Sequence, residues 1–349
     1  MAPSAHNGAA PLRRGAGRVP RVAVVGVGAF GRHHARIYGE LAEAGEAVLV
    51  GLVDTDIERA REHAARWGVP AVERVEELPE APDAVTVAVP TSAHRTVAEP
   101  LLRRGIHCLV EKPIAASLAD AQALVEAAKQ GGATLQVGHV ERFNPVMAAV
   151  ERLDLRPPVF LEVHRLAPFA FRSEDVGVVL DLMIHDLDIV LHLVGEAPSR
   201  VDAVGVPVLG PREDIANARL VFPSGSVANV TASRVSMQRM RKIRVFSPDA
   251  YVSLDYDRRQ ALLVRKAADA VAAPPSPAEA RAAADFGSLF RSEMLPIDEA
   301  EPLKEELRSF LDAVRRGVRP RVPGEEGARA LALAERILRA IAGHPVPVP

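Results

Sequence analysis

The residues of this chain best suited to moving a proton are Asp181 and His185, four apart in the apolar stretch 179–194. At helical spacing Asp181, His185, Asp188 and His192 (i, i+4, i+7, i+11) fall along one face, with Ile184, Leu187 and Leu191 on another. A carboxylate one turn before an imidazole orients the ring and favours its protonated form. Such a pair suits a base that takes a hydroxyl proton while a hydride leaves the neighbouring carbon. Other readings stay open. A polar stripe of this kind is also the ordinary solvated face of a helix, and two His with two Asp are acceptable zinc or iron ligands. No cysteine or second ligand cluster stands near the stripe to favour a metal. The partner candidate is Lys112, in Glu111-Lys112-Pro113 directly after the apolar run 106–110. An ammonium there can favour the alkoxide form of a substrate oxygen and lower the pKa of a nearby imidazole by like-charge repulsion. An exposed lysine ending a strand is the plain alternative. Lysine is scarce, at 112, 129, 242, 266 and 304, which draws attention to Lys112 without assigning it a role.

A hydride needs an acceptor, and the N-terminal third is written to hold one. Gly26-Val27-Gly28-Ala29-Phe30-Gly31 follows the apolar run 22–25 and opens a helix-like stretch, and Asp54 closes the next apolar run, 49–53. Strand, GxGxxG, helix, strand and acid, in that order, are what a nicotinamide dinucleotide requires. Gly26 permits the tight turn, Gly28 lets backbone approach the pyrophosphate, and Gly31 lets helix pack on strand. Ala29 and Phe30 complete the turn beneath the phosphates, where the helix N-terminus offers N–H groups and partial positive charge. A carboxylate at 54 accepts hydrogen bonds from both ribose hydroxyls and repels a 2′-phosphate, which favours NAD over NADP. No arginine directly follows it; Arg59, a turn further on, tempers that preference.

Apolar runs and amphipathic stretches alternate through this region, which predicts a doubly wound parallel sheet with crossover helices. Strands are expected at 22–25, 48–53, 71–73, 84–89, 106–110 and 134–138, and helices near 29–44, 56–67, 93–104 and 117–130. Ligands bind beyond the C-terminal strand ends of such sheets. Pro90, Thr91 and His94 after one strand, and Glu111 and Lys112 after the next, therefore join the cofactor candidates. After Asn144 the pattern changes to a helix (145–153), a strand (159–165), the helix 179–194 and six closely spaced strands between 201 and 265. That predicts an α+β domain with a large, mostly antiparallel open sheet, its uncovered face apolar and inviting self-association. Two helices, about 302–316 and 325–342, end the pattern. The expected division is a mobile tail at 1–20, a nucleotide domain at 21–143 and a substrate and oligomerisation domain at 144–349. A loop is expected at 267–284, and the last helix is expected to pack back on the nucleotide domain.

At 349 residues the chain has length for two domains of ~100–200 residues each. Its 48% hydrophobic content and net charge of −2 describe an ordinary enzyme and give no basic surface for nucleic acid. No apolar run approaches the ~18 residues of a membrane span, and the first twenty residues lack the apolar core of a signal peptide. The single cysteine, Cys108, lies in an apolar run and reads as a buried thiol, consistent with a reducing cytoplasm.

Taken together, GVGAFG, Pro90-Thr91-Ser92-Ala93-His94, Glu111-Lys112-Pro113 and Asp181-x-x-x-His185 resemble the Gfo/Idh/MocA family of sugar dehydrogenases. The likeness runs from about Arg21 to the C-terminal part, including Pro302-Leu303-Lys304-Glu305-Glu306-Leu307 and Gly324-Glu325-Glu326-Gly327. It implies that Lys112, Asp181 and His185 are catalytic and in contact with substrate, and that the open sheet builds a homodimer or homotetramer. Spacing does not rank Lys112 and His185 as the proton acceptor. One departure is Val178-Val179-Leu180, where the family often carries glycines.

Gly138-His139-Val140-Glu141-Arg142-Phe143-Asn144-Pro145, His164-Arg165-Leu166 and the stretch 172–186 resemble the members of that family that act on nucleotide sugars. This implies substrate contacts from Arg142, Asn144, Arg165 and Arg172, the arginines offering forked donors to a diphosphate. In so arginine-rich a chain, surface or interface roles compete with that reading. An inositol or free-sugar dehydrogenase, and a non-catalytic NAD-sensing regulator, are the alternatives. The regulator would tolerate loss of the proton-transfer residues, and all three are present.

Overall fold

A computed structural model describes residues 18–153, 155–169, 176–266 and 290–344. The expected N-terminal tail and the 267–284 loop lie almost entirely outside the described residues. The chain divides into two compact units: residues 1–138 with Leu307–Gly324, and His139–Glu306 with Glu325–Pro349.

The first unit is built on a six-stranded parallel sheet of β1 (Arg21–Val25), β2 (Val48–Val53), β3 (Ala71–Val72), β4 (Ala84–Val87), β5 (His107–Glu111) and β6 (Leu135–Gly138). Its order, β3-β2-β1-β4-β5-β6, reverses direction between β1 and β4. Such a switch point opens a crevice at the carboxyl ends of the strands. Helices α1 (Gly31–Glu43), α2 (Ile57–Ala65), α3 (His94–Arg103) and α4 (Leu118–Gly131) make the crossovers. Strands β1 and β4 are almost wholly apolar, and β5 is apolar between its two end residues, because both faces are covered. Cys108 on β5 is buried, and burial pushes its thiol pKa far up, so the thiol is inert.

Leu307–Gly324 joins this unit through an antiparallel bridge at the edge of β6, where Val137 N–H donates to Val322 O at 2.9 Å. Arg308 adds two hydrogen bonds to Glu46, at 2.8 and 3.0 Å. The segment that returns is therefore the one ahead of the final helix. The final helix, α8 (Gly324–Ala342), buries Ala330, Leu333, Ala334 and Ile337 in the second unit's core, which corrects the expectation that it packs on the nucleotide domain. The penultimate helix, α7, spans Pro302–Arg316. The boundary falls after Gly138 rather than after Phe143, since Glu141 and Arg142 are tied by ion pairs to Arg165 and Asp188 further along the chain.

The second unit carries an eight-stranded sheet in the order β14-β13-β12-β11-β7-β10-β9-β8. Its strands are β7 (Phe160–Leu166), β8 (Arg200–Val206), β9 (Ile215–Val221), β10 (Val227–Ser233), β11 (Met240–Phe246), β12 (Ala250–Asp255), β13 (Gln260–Lys266) and β14 (Phe290–Met294). All neighbours are antiparallel except β7 and β10. The β9–β10 hairpin turns at Pro223-Ser224-Gly225-Ser226, with Gly225 at φ 88°. Edge strand β14 escapes sequence reading because it is largely polar and exposed, with no alternation to mark it.

One face of the sheet packs Leu161, Val163, Ala228, Val230, Ile243 and Val245 against α5 (Pro145–Glu151), α6 (Ile184–Val194) and α8. The opposite face is not uniformly apolar, contrary to expectation. Register sets Val221, Val227, Phe160, Phe246, Tyr251 and Val264 side by side in an apolar row, with ring centroids 4.8 Å apart for Phe246–Tyr251. The next rows hold polar pairs across strands, among them Arg244–Glu162 at 2.7 Å and Asn217–Thr231 at 2.8 Å. Alternation along each strand keeps the inner face dry; it does not dictate apolar residues outside.

Candidate active site

In the first unit the turn after β1 is shaped by steric necessity. Gly26 has φ 85°, and a Cβ there would stand 2.8 Å from the backbone of Ala88 and Val89; one on Gly31 would overlap Gly26 O. Gly28 differs: a Cβ there meets no protein atom within 4 Å. Packing does not require glycine at 28, whereas the close approach of a pyrophosphate does. Ala29 and Phe30 are exposed at the same end. Helix α1 has no acidic residue in its first turn and no side-chain cap from Phe30, so no side chain of its own first turn or N-cap competes with an anion at its N-terminus. These residues fit a dinucleotide phosphate.

Asp54, at the end of β2, is buried and accepts hydrogen bonds from Val27 N–H at 2.8 Å and Asp56 N–H at 2.9 Å. The Arg59 fork also closes on it, Nε at 3.1 Å and Nη2 at 2.7 Å. Burial pushes its carboxyl up, but these donors outweigh burial and hold it below the ordinary aspartate range. Arg59 is itself 42% exposed, so it can swing into water when ribose hydroxyls claim the carboxylate.

Beyond β4, Pro90 and Thr91 lead into a short 3-10 turn at the switch point. His94 is buried, with Nε2 3.0 Å from Val89 O and Nδ1 3.0 Å from Pro113 O. Both ring nitrogens face backbone carbonyls, one in the loop after β4 and one in the loop after β5, and the single N–H of the neutral ring donates to one of them. That corrects its expected role as a cofactor contact. Burial holds its pKa below the usual histidine value, against the pull of those carbonyls.

At the end of β5, Glu111 points back into the unit. Its Oε1 lies 2.8 Å from His34 Nε2, and its Oε2 accepts the Lys112 backbone N–H at 3.1 Å. Burial raises the Glu111 carboxyl; His34 and the Lys112 N–H and charge outweigh that and bring it below the usual range. Glu111 thus holds the backbone of Lys112, a use the cofactor expectation had not foreseen. His34 was missed, although it lies on the buried stripe of α1 with Gly31, Ala35 and Tyr38. An imidazole on an apolar helical stripe was the available signal.

In the second unit the expected single helix begins instead with a π turn, Val179–Met183, that carries Asp181 and runs into α6. Single π turns inside helices recur at functional sites. Asp181 and His185 are both half-buried, and the His185 ring meets that of His139 edge-on, centroids 6.1 Å apart at 89°. The lower half of the stripe is structural. Asp188 and His192 both turn to Arg142, whose Nη1 lies 3.4 Å from Asp188 and 3.3 Å from Glu326 and whose Nη2 donates to His192 Nδ1 at 2.9 Å. His192 then keeps its proton on Nε2, 3.0 Å from Glu151.

Arg165 is buried with its fork on Asp186 (Nε and Nη2, both 2.8 Å) and Nη1 on Glu141 at 3.0 Å. Burial disfavours the charge, but the two carboxylates prevail and raise the guanidinium pKa. Both guanidinium groups are buried, with Nη1 and Nη2 of Arg142 and all three nitrogens of Arg165 on acceptors inside the unit, so neither presents its fork to a diphosphate in this conformation. Asn144 caps α5, accepting Val146 N–H at 3.1 Å ahead of Pro145 at the first helical position, and donates to Glu141 at 3.3 Å. Its expected substrate contact gives way to that cap. Arg172 lies outside the described residues. Among the described residues no three His, Cys, Asp or Glu side chains converge as metal ligands.

A doubly wound nucleotide unit joined to an open-sheet unit with an Asp–His helix defines a class of nicotinamide-dependent dehydrogenase. Residues 20–139 match the oxidoreductase family with an NAD-binding Rossmann fold, and residues 145–252 match the GFO/IDH/MocA C-terminal domain. The chain is 35% identical over 92% of its length to UDP-N-acetylglucosamine 3-dehydrogenase of Acidithiobacillus ferrooxidans, covering 97% of that protein. A crystal form of that enzyme superposes with a TM-score of 0.83 at 34% identity, covering 93% of this chain and 98% of that one. Myo-inositol 2-dehydrogenase of Thermotoga maritima is 28% identical, over 90% of this chain and 93% of that protein. The chain belongs to the Gfo/Idh/MocA family. It is an NAD-binding oxidoreductase of that family.

Proposed function

We propose that the protein oxidises the 3-hydroxyl of UDP-N-acetylglucosamine to the 3-keto sugar with NAD, yielding the precursor of a 3-amino sugar for lipid A. The observation that carries this reading is 35% identity sustained over 97% of a UDP-N-acetylglucosamine 3-dehydrogenase. In this reading His185 takes the hydroxyl proton, Asp181 orients the imidazole, and Lys112 polarises the reacting oxygen. The chemistry a bound nicotinamide supplies is acceptance of the hydride released from the sugar carbon. Gly26, Gly28 and Gly31 with the start of α1 hold the pyrophosphate, and Asp54 holds the adenosine ribose. Arg172 offers a forked donor to the sugar diphosphate in this reading. The enzyme works in the cytoplasm as a homodimer or homotetramer through the outer face of the eight-stranded sheet, whose apolar row supports such an interface.

The test is to mix protein and NAD with a panel of nucleotide sugars, free sugars and inositols and follow NADH absorbance. Strong preference for UDP-N-acetylglucosamine is expected. Indifference to the nucleotide would replace this reading with an inositol or free-sugar dehydrogenase, which the 28% identity to the Thermotoga enzyme favours as second choice. NAD binding without reduction of any kind would bring forward a regulator.

A second expected result concerns Asp54. Asp54→Ala removes the acceptor of the ribose hydroxyls and frees the Arg59 fork, which then welcomes a 2′-phosphate. Lost hydrogen bonds to a charged group predict NAD binding weaker by about 10–100-fold, with NADP weakened much less. Fluorescence titration with NADH and NADPH measures both; equal losses would remove Asp54 from the selectivity argument.

A further inference from the structure

The start of the proton-transfer helix is held by a distant loop. Val178, its N-cap residue, offers no side-chain hydrogen bond, which would leave the first N–H groups orphaned. The connection between β8 and β9 supplies the acceptors instead. Glu213 takes Val178 N–H on its backbone oxygen at 2.9 Å and Val179 N–H on its carboxylate at 3.2 Å. It lies so tightly over Gly177 that a Cβ there would overlap the carboxylate. The loop is itself anchored. Buried Asp214 accepts Val208 and Leu209 N–H, both at 2.7 Å, and Arg234 Nε at 2.6 Å; Arg234 Nη1 then donates to Val176 O at 2.6 Å.

Residues 176 and 178, ahead of the turn that carries Asp181, and 179, its first residue, are thus held from outside. Relaxing that π turn to an α turn would rotate α6 about its axis relative to the residues ahead of the turn, and Asp181, inside the turn, would shift against His185. The relation between Asp181 and His185 therefore depends on what holds the turn open.

We propose that Glu213 is a positioning residue for proton transfer, clamping the start of the π turn so that Asp181 and His185 keep their mutual geometry. The proposal rests on the roles given above to Asp181 and His185. Gly177 is glycine because Glu213 occupies the space of its Cβ, and the Asp214–Arg234 pair is the clamp's anchor.

The test compares Glu213→Ala, Glu213→Asp and Glu213→Gln in the full chain, with NAD and UDP-N-acetylglucosamine carrying protium or deuterium at C3. Glu213→Ala is expected to lower kcat about 10–100-fold, the scale of an ångström of misplacement, with KM for NAD unchanged. Its deuterium isotope effect should rise, because hydride transfer becomes slower relative to other steps; a misfolded fraction lowers kcat without moving that ratio. Glu213→Gln keeps an oxygen acceptor and should restore both quantities, and Glu213→Asp should fall between should the alanine variant not fold. Amide exchange across 176–185 should quicken in Glu213→Ala and not in Glu213→Gln. Wild-type kcat, isotope effect and exchange in Glu213→Ala, or equal losses in the alanine and glutamine variants, would overturn the proposal. His185→Ala assayed in parallel separates the two readings. If it is inactive while Glu213→Ala behaves as wild type, the clamp alone fails. If it is active, or if the wild type leaves this sugar unoxidised, the functional reading falls and amide exchange decides the clamp.

Discussion

His185→Ala should lose about 10²–10⁴-fold in kcat, the usual worth of a positioned general base, while binding NAD almost as the wild type does. The separation is expected because the groups that fit the dinucleotide, the turn at Gly26, Gly28 and Gly31 and the Asp54 carboxylate, all belong to the first unit, whereas His185 belongs to the second. Lys112→Ala should cut turnover in the same direction with NAD affinity likewise retained, because it is the Glu111 carboxylate that ties this backbone into the unit. Steady-state kcat with UDP-N-acetylglucosamine and NADH titration by fluorescence give the two numbers. Full turnover in either variant would remove that residue from the chemistry. A loss of NAD affinity matching the loss of kcat would instead place it among the cofactor contacts.

Much of this was legible in the sequence, for identifiable reasons. Strand ends carry ligands in doubly wound sheets, so the glycine turn, Asp54 and the Glu111-Lys112-Pro113 segment stood out from order alone. Asp181 and His185 stood out because polar residues repeated on a helical stripe. The fate of the arginines was not legible. Arg165 meets Asp186 and Glu141, 21 and 24 residues away along the chain, and spacing reveals a donor without revealing which carboxylate will occupy it. The π turn was hidden for a related reason: 179–194 reads as one helix, and the acceptor imposed by Glu213 comes from another part of the fold. Local pattern marks what a residue can do, and tertiary contact decides whether its hydrogen bonds remain to do it.

The Arg165 cluster carries the largest stability effect expected of a single substitution. Arg165→Met leaves Asp186 buried without its bidentate partner and removes one of the donors on Glu141. Breaking a buried pair from one side costs about 3–5 kcal/mol, a large fraction of the ~5–15 kcal/mol that holds a domain folded. A markedly lower urea midpoint by circular dichroism is the expected result. The loss should also depend on pH in a definite direction. Burial pushes the Asp186 carboxyl above the ordinary aspartate range even with Arg165 beside it, and further once the guanidinium is gone. The folded variant then binds a proton more readily than its unfolded chain, so its stability rises as pH falls toward the unfolded aspartate value. The gap to wild type should accordingly be widest near pH 8 and narrower near pH 5. Replacing both partners, Arg165→Met with Asp186→Leu, should recover part of the loss, because the uncompensated charge, more than the missing attraction, is what destabilises the single variant. A gap independent of pH, unrelieved in the double variant, would mean that the uncompensated Asp186 charge is not what destabilises the single variant.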